Sequence, residues 1–512
     1  MHLRKRYYHM TITLGRIFAS VALAVSAVFA SKQPLTIWIM PNGASPKEKL
    51  EQALAQFTQQ TGIPAQVQVL DWGEAWNKIS TALESGENAP DVLQLGTTWV
   101  PYFAARGELK PLNTILPQIN PDRFVPISWS TTHIDSDTTI YSVPWFIDIR
   151  TVLGNKRILK KNGITRESIT TYQGFMDAVR KVNEAKETLE DGVKVRGYAF
   201  PGKSDWNIPH NFAPWVWSNG GSFVKKDSTG NWQANIMDEH TLLGIGRYLK
   251  FVLDTLVSPE ALQKNSAQIA QQFNNGEFAF IIHTAEIIMQ TRIHDDRGGL
   301  SNARIGTDSV DVFPIPLGSE GSVSFVGGSN LAIPSKSTRP EAEKLILYLT
   351  QDDNLNAYTK QIGFLPASKN VLNSWSTDSA YRVLVKALET GRTYTTIPEW
   401  GDIEQILVAM FSAVWDQLEI QALYSEEKLY DTFIEYSKQI NKRLGFQGTT
   451  VMTLAEFQAL WHKIVNSTDE PEKPKEATST DHIRNNLRIA PWLFAILFVF
   501  GFASAYKRKR KK

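Results

Sequence analysis

Residues 35–112 alternate between short continuous apolar runs and longer segments with helical spacing. Three runs have the length of buried strands: Leu35–Met40, Gln66–Leu70 and Asp91–Leu95. The two segments between them place apolar side chains three or four residues apart, and they end at Gly62 and Gly86, as helices commonly do. This order of strand, helix, strand, helix and strand predicts a parallel sheet covered by helices.

The three predicted strands all end in residues suited to contacting a ligand. Asn42 follows the first strand, and Asp71 and Trp72 follow the second. After the third strand come Gly96, the hydroxyl-bearing Thr97 and Thr98, and the indole of Trp99. The carboxyl ends of parallel strands meet at one edge of a sheet, where ligands of such sheets bind. We therefore expect these residues to face one site.

The remainder of the chain predicts a second compact region and a return to the first. The apolar pattern indicates helices near 171–185 and 239–256, strands at 310–315 and 330–333, a helix beginning at Pro340, and further helix across 402–445. No internal repeat is present.

The first 30 residues have the layout of a secretory signal. Arg4-Lys5-Arg6 precedes an apolar stretch, 17–29, and small residues around Ala30 suit cleavage there. The alternative is an anchor that is not cleaved. We therefore expect export of the body.

The C-terminal end predicts a membrane span. Residues 489–506 contain no charge, carry Trp492 and Tyr506 near their edges, and precede six consecutive cations, 507–512. Such a segment can just cross a bilayer, and the basic tail indicates a cytoplasmic C-terminus. The alternatives are a buried core helix or a sorting tail that is later removed. The polar, proline-bearing residues 466–486 predict a flexible stalk.

Charge and cysteine content narrow the classes of function. The 512 residues carry a net charge of +2, but the two ends hold ten cations and no acid, so the body carries −8. Such a body has no footprint for nucleic acid. The absence of cysteine excludes disulfides, thiolate metal sites and a lipidated N-terminal cysteine.

Several blocks of sequence, in a fixed order, resemble one family. They are SGENAPDVLQLGTTWVPYFAARGELKPL (85–112), IYSVPWFIDIRTVLGNKRILKKNGI (140–164), FAPWVWSNGGSF (212–223), FNNGEFAFII (273–282), FVGGSNLAIPSKSTRPEAEKLILYLT (325–350) and GFLPASKNV (363–371). Together they are similar to the extracellular solute-binding proteins that include the maltose- and sugar-binding components of ABC importers. Gly154 and the stretch after Ile282 depart from the family pattern.

The resemblance implies an α/β, two-lobed, maltose-binding-protein-like (type II) fold with ligand bound between the lobes. It places lobe 1 at 31–144 and 284–335 and lobe 2 at 145–283 and 336–450. A C-terminal extension and stalk, 451–488, would lead to the transmembrane helix. Hinge closure around the ligand is the recognised behaviour of such proteins.

The expected cleft residues combine indoles with hydroxyls, amides and carboxylates. An indole offers a flat face to a sugar ring, while polar groups pair with its hydroxyls. The candidates are Asn42, Asp71, Trp72, Thr97, Thr98, Trp99, Trp145, Asp148, Trp215, Trp217, Glu286, Gly328, Ser329 and Trp400. Any one tryptophan could equally belong to the core, Asp148 could instead pair with Arg150, Glu286 could form a surface salt bridge, and Gly327-Gly328-Ser329 could be a plain turn.

The predicted function is capture of a sugar or related polar solute and its delivery to an ABC permease at a bacterial inner membrane. The alternative is a sensor that signals through a membrane partner. No pair of carboxylates marks a glycosidase, so an enzyme is not expected. No cofactor or metal is expected either. The nine histidines show no metal-ligand spacing. An iron-binding version of this fold would be expected to offer paired tyrosines, and the only Tyr-Tyr pair lies in the signal.

Overall fold

The computed structural model describes residues 33–202, 205–297, 299–301, 306, 309–420, 424–448 and 452–466. Within these ranges no helix has the length and apolar character needed to cross a bilayer. The predicted signal (1–30), most of the stalk, the span 489–506 and the basic tail 507–512 lie outside them.

The described residues contain twelve strands. They are β1 (Leu35–Ile39), β2 (Ala65–Val69), β3 (Val92–Gly96), β4 (Ser142–Ile149), β5 (Thr151–Asn155), β6 (Arg196–Ala199), β7 (Val224–Lys226), β8 (Trp232–Ala234), β9 (Phe278–His283), β10 (Val310–Phe313), β11 (Val326–Ala332) and β12 (Leu365–Pro366).

Eighteen α-helices occupy much of the remaining described chain. In the first third these are α1 (Pro46–Thr61), α2 (Trp72–Ser85), α3 (Val100–Ala105), α4 (Leu116–Ile119), α5 (Pro126–Trp129) and α6 (Lys156–Lys161). Then follow α7 (Tyr172–Glu184), α8 (Ile208–Ser218), α9 (Glu239–Leu253), α10 (Ser266–Asn274), α11 (Glu286–Gln290) and α12 (Glu341–Thr350). The last are α13 (Asp352–Ile362), α14 (Lys369–Trp375), α15 (Ser379–Ala387), α16 (Trp400–Glu419), α17 (Glu426–Arg443) and α18 (Leu454–Asn466).

Two separate sheets define two lobes. The first sheet has the order β12-β4-β11-β3-β1-β2, in which β1 pairs in parallel with β2 and β3, while β11 runs antiparallel to β3 and β4. The second has the order β10-β5-β9-β6. The predicted elements of residues 35–112 are all present, and the parallel arrangement of their three strands is confirmed.

Local sequence explains the ends of the first helices. Asp71 accepts a hydrogen bond from the Gly73 amide (2.8 Å) and so caps α2. Gly62 and Gly86 each adopt positive φ, and each amide donates back to the helix that it closes. The buried residues of α1, namely Leu50, Leu54 and Phe57, form the apolar stripe that the spacing predicts.

The sheets divide the chain differently from the predicted lobe boundaries. All of β4 belongs to the first sheet, so the first crossing lies at Arg150 and not at 144/145. Strand β10 pairs with β5 in the second sheet, although 284–335 was assigned to lobe 1. Residues 341–366, assigned to lobe 2, pack on the first sheet through α12, α13 and β12.

A β-bulge lies at the first boundary, which the family resemblance placed after Pro144. Proline lacks an amide hydrogen and usually interrupts strand pairing. Here Asn330 pairs with Pro144 and Ser329 with Phe146, so Trp145 is an extra residue in β4 and the strand continues through the proline.

Three crossings between the lobes run side by side and form the hinge. The Arg150 amide donates to the Phe325 carbonyl (3.0 Å), the Val326 amide to the Arg392 carbonyl (2.8 Å), and the Arg392 amide to the Ser324 carbonyl (2.9 Å). These backbone hydrogen bonds place the side chain of Arg150 at the base of the space between the lobes.

Candidate functional site

A cavity of about 580 Å³ lies between the two lobes. The carboxyl ends of β1, β2 and β3 form part of its wall, as the sequence predicts. Opposite them lie the first turns of α8 and α10 and the residues that follow β9. Both lobes therefore contribute to one cavity next to the hinge.

Ten of the predicted site residues line this cavity. They are Asn42, Asp71, Trp72, Thr97, Thr98, Trp99, Asp148, Glu286, Gly328 and Ser329.

Four predicted tryptophans lie elsewhere, in the core. Trp145 stacks on Tyr358 of α13, with ring centroids 4.6 Å apart. Trp215 packs among the aromatic residues of lobe 2, and Trp217 and Trp400 both contact Tyr394. All four are buried, and none borders the cavity. Their placement in the cleft was therefore wrong.

Some of the cavity-lining side chains are already engaged within their own lobe. Gln94, fully buried on β3, donates to the Asn42 side chain (3.1 Å) and to the Ser329 hydroxyl (2.8 Å), and it accepts from Asn42 (2.8 Å). Asp71 serves as a helix cap. The side chains of Asn42, Ser329 and Asp71 therefore hold the wall of lobe 1 in place through these hydrogen bonds. Gln94 was missed because one amide inside an apolar run resembles any buried strand position.

Indoles from both lobes meet at the cavity. Trp72 of lobe 1 stacks on Trp206 of lobe 2, with centroids 4.9 Å apart and planes inclined by 19°. The edge of Trp99 contacts Trp72, with centroids 5.8 Å apart. Trp206 was not among the predicted residues. Its position before an aromatic helix carries no signal that distinguishes it from Trp215 or Trp217.

A group of four ionisable side chains lies at the base of the cavity. Arg150, only 2% exposed, donates to Asn207 of lobe 2 (2.6 Å) and lies 3.3 Å from an oxygen of Asp148. The Nδ1 atom of His283 lies 3.8 Å from the Glu286 carboxylate. The predicted alternative for Asp148, a pairing with Arg150, is thus observed in a position where Asp148 still borders the cavity.

Burial changes the ionisation of this group. It raises the pKa of Glu286 to about 7, with the nearby Asp148 charge adding to the effect. It lowers the pKa of His283 to about 3, and the Arg150 charge acts in the same direction. Burial also raises the pKa of Asp148, although Arg150 opposes this.

Each of these four side chains also keeps one buried polar atom that makes no hydrogen bond to any described residue. These atoms are Asp148 Oδ1, Arg150 Nε, His283 Nε2 and Glu286 Oε2. A buried polar atom without a partner costs about 1–3 kcal/mol. The wall therefore offers both acceptors and donors to a polar ligand.

A second polar cluster joins the lobes beside Trp99. Thr98 of lobe 1 donates to Glu404 of α16 (3.1 Å), and His210 Nε2 lies 3.6 Å from the same carboxylate. Burial raises the pKa of Glu404 to about 7 and holds that of His210 well below its usual range. His210 is therefore neutral, and Glu404 carries only part of its charge near neutral pH, which suits a buried contact without a bound cation.

The described residues contain one group with metal-ligand geometry, His294, Asp295 and Asp296. All three are exposed, and the His294 ring lies 3.0 Å from each carboxylate. The group does not border the cavity. The cavity walls combine carboxylates with an arginine, which is not a donor set for a cation.

Two α/β lobes, joined by three crossings around a polar and indole-lined cavity, define a two-lobed ligand-binding protein. The model of the bacterial extracellular solute-binding protein family matches residues 52–383, and the chain belongs to this family.

Two of the relatives are named for the carbohydrates that they bind. The chain is 26% identical to the diacetylchitobiose binding protein DasA of Streptomyces coelicolor over 378 residues, which cover 73% of this chain and 82% of the relative. It is 21% identical to the arabinooligosaccharide-binding protein of Bacillus subtilis over 402 residues, 77% of this chain and 82% of the relative.

Solved structures confirm the predicted fold class. A solute-binding protein of an ABC transporter from Thermotoga lettingae, bound with α-D-tagatose, superposes with a TM-score of 0.69 at 21% identity, covering 81% of this chain and all of that one. Maltose-bound MalE3 of T. maritima gives 0.66 at 20% identity, covering 80% and 99%. The chain has the two-lobed α/β fold of these proteins.

Proposed function

We propose that the chain captures a sugar or oligosaccharide between its lobes and delivers it to an ABC permease. The observation that carries this proposal is that one cavity is lined by Trp72, Trp99 and Trp206 together with the four side chains that each keep an unpaired buried polar atom. Sugar hydroxyls both donate and accept, so they can satisfy carboxylate, imidazole and guanidinium atoms together. The apolar face of a sugar ring suits an indole.

The relatives support the carbohydrate class. Their names specify diacetylchitobiose and arabinooligosaccharide, and the similar structures contain tagatose and maltose. The cavity of about 580 Å³ lies within the range of small-molecule sites. Opposed carboxylates and donors favour a neutral, hydroxyl-rich ligand over a strongly charged one.

The proposed location follows from the two ends of the sequence. A secretory signal at 1–30 would export the body, and a span at 489–506 would hold it at the outer face of the bacterial inner membrane. A tether of this kind would keep the loaded protein close to its permease, which increases its effective concentration there.

Removing the Asp148 carboxylate, which keeps one unpaired oxygen, should weaken carbohydrate binding without unfolding the lobes. Asp148→Ala is expected to raise the Kd of the best ligand from a glycan panel by about 10- to 150-fold, as loss of a charge-assisted hydrogen bond does. Isothermal titration measures the Kd. Stimulation of ATP hydrolysis by the reconstituted permease should fall in parallel at limiting ligand.

The exposed variant Asp122→Ala is the control, because its carboxylate lies outside the cavity. No binding by any glycan would contradict the carbohydrate class. Equal affinity of the Asp148 and Asp122 variants would contradict the site. Binding that never stimulates the permease would favour sensing through another partner.

A further inference from the structure

A second cavity, of about 220 Å³, lies within lobe 2 beneath the C-terminal helix α18. It shares no lining residue with the cavity between the lobes. Asn219, which contacts its wall, follows the last turn of α8, whereas the first turn of α8 borders the cleft. An 11-residue helix is about 16 Å long, so the two cavities are well separated. Helix α18 also lies beyond the residues that the family model matches.

Basic side chains dominate the charged wall of this cavity. His240, Arg247, Lys250 and Lys463 border it, together with a single acid, Glu239. Lys250 is neutralised by Asp254 (3.0 Å) and also donates to a backbone carbonyl of α18. The other three basic groups form no ion pair with any described residue.

Arg247 is the residue that most needs an anionic partner. Its guanidinium donates to the neutral Asn219 side chain and lies over the Tyr172 ring, 5.1 Å from the centroid. Burial lowers the pKa of Arg247, and no carboxylate among the described residues offsets this. A half-buried cation with only neutral contacts is costly, and a bound anion would offset that cost.

A hydroxyl group and the first turns of two helices also favour an anion in this cavity. The Ser319 Oγ atom is buried on this wall and makes no hydrogen bond to a described residue. Helices α7 and α9 both begin at this wall, so the partial positive charges of their first turns lie beside the cavity. The remaining wall is apolar, from Leu243, Leu460 and Ile464.

We propose that this cavity binds an organic oxyanion, a phosphate or carboxylate group carried on an apolar body, with Arg247, Lys463 and Ser319 contacting the anionic oxygens. The oxyanion has two sources with the same chemistry: a free metabolite or a phospholipid headgroup. The second source is near, because Lys463 and Ile464 lie just before the predicted stalk, 466–486, which leads to the predicted membrane span. The site is independent of carbohydrate binding in the cleft.

The test uses inorganic phosphate and the full-length chain in nonionic detergent. Broadening of the phosphorus-31 resonance should reveal saturable binding, and Arg247→Gln should weaken it at least about tenfold. Lys463→Gln, a change at an exposed position of α18, should weaken it in the same direction without affecting folding. Arg180→Gln is the matched control, since Arg180 is exposed on α7 and does not border the cavity.

Competition against bound phosphate separates the two sources. Displacement by dihexanoylphosphatidylglycerol, kept below its micelle concentration, at lower levels than glycerol 3-phosphate would identify a lipid headgroup. The reverse order would identify a free metabolite. Absence of saturable phosphate binding, or equal binding by the Lys463 and Arg180 variants, would overturn the proposal.

Discussion

At the scale of single residues, the site is defined by polar atoms that the fold buries without satisfying. Asp71, Asn42 and Ser329 line the cleft, but their hydrogen bonds are made within lobe 1. Asp148 and Glu286 differ, because each keeps a buried oxygen without a partner. Residue type alone does not separate these two groups of side chains. The difference lies in what each atom contacts.

Glu404 allows a test of this kind of burial through pH. Its pKa is about 7 in the folded chain and 4.5 when unfolded, so the folded state holds the proton more tightly between those values. The resulting stability is complete below pH 4.5 and is lost as pH rises towards 7. A glutamine stays neutral at every pH. At pH 8, Glu404→Gln should therefore be more stable than wild type by on the order of 3 kcal/mol and should unfold at a higher temperature. At pH 4.5 the two proteins should unfold at similar temperatures.

Thermal unfolding at the two pH values measures this difference. Glu286 titrates over the same range, but it is present in both chains and cancels. Glu427→Gln, on the exposed side of α17, is the control. If Glu404→Gln changed the melting temperature relative to wild type by the same amount at pH 4.5 and at pH 8, the Glu404 carboxyl would not be held neutral by the fold.

At the scale of elements, the C-terminal helix α18 is part of lobe 2. It lies in the predicted extension 451–488 and buries Phe457, Trp461 and Ile464 against α9 and α17. Gly246 of α9 makes this close contact possible, since a Cβ there would lie 2.5 Å from Ile464 and 3.3 Å from Trp461. A stalk predicted from residue 466 onwards would therefore leave from a packed helix.

A methyl group at Gly246 should displace this helix. Gly→Ala inside a helix normally stabilises by roughly 0.5–1 kcal/mol, but overpacking costs about 1–3 kcal/mol, so Gly246→Ala should lower the free energy of unfolding. Chemical denaturation measures the change. Proteolysis between α17 and α18 should become faster.

Ile464→Ala tests whether the contact is responsible. It should destabilise by about 2 kcal/mol alone and relieve much of the Gly246→Ala effect in the double variant, because it removes the opposing methyl. Strict additivity of the two changes would contradict the contact.

At the scale of the whole molecule, the lobes face each other across an aromatic contact. Trp72 and Trp206 stack between lobes, and Thr98 bonds Glu404 beside them. The three adjacent crossings act as a hinge that any change in lobe separation must bend. An aromatic pair contributes about 0.5–1.5 kcal/mol, which changes a closed-to-open ratio about 2- to 13-fold.

Loss of this pair should open the unliganded protein. The chain has no cysteine, so Glu74→Cys and Gln268→Cys can carry two unique spin labels on opposite rims. Trp206→Ala should lengthen the mean distance between the labels without ligand. Added ligand should shorten it again. Double electron–electron resonance measures the distance between the labels with and without ligand.

Trp232→Ala is the matched control, because Trp232 lies on β8 and contacts Lys226 away from the cavity. The same distance in the Trp206 and Trp232 variants would show that the stack does not hold the lobes together.

Short-range patterns account for much of what could be predicted. The first five elements, the polar strand ends and the apolar faces of the helices follow from local spacing, because burial of a strand or helix face depends on neighbouring residues. The lobe boundaries were misplaced because strand pairing is a long-range property. A bulge at Trp145 carries β4 through Pro144, and β10 pairs across more than 150 residues with β5.

The sequence by itself determined the fold class. It also predicted ten residues that line the cavity between the lobes, several of them because carboxyl ends of parallel strands share an edge. Only the tertiary structure decided which tryptophans belong to that site. Four predicted tryptophans lie in the core, namely Trp145, Trp215, Trp217 and Trp400, whereas Trp206 lines the cavity. It also decided which polar atoms stay unpaired, since pairing depends on partners such as Gln94 and Asn207 that are distant in sequence.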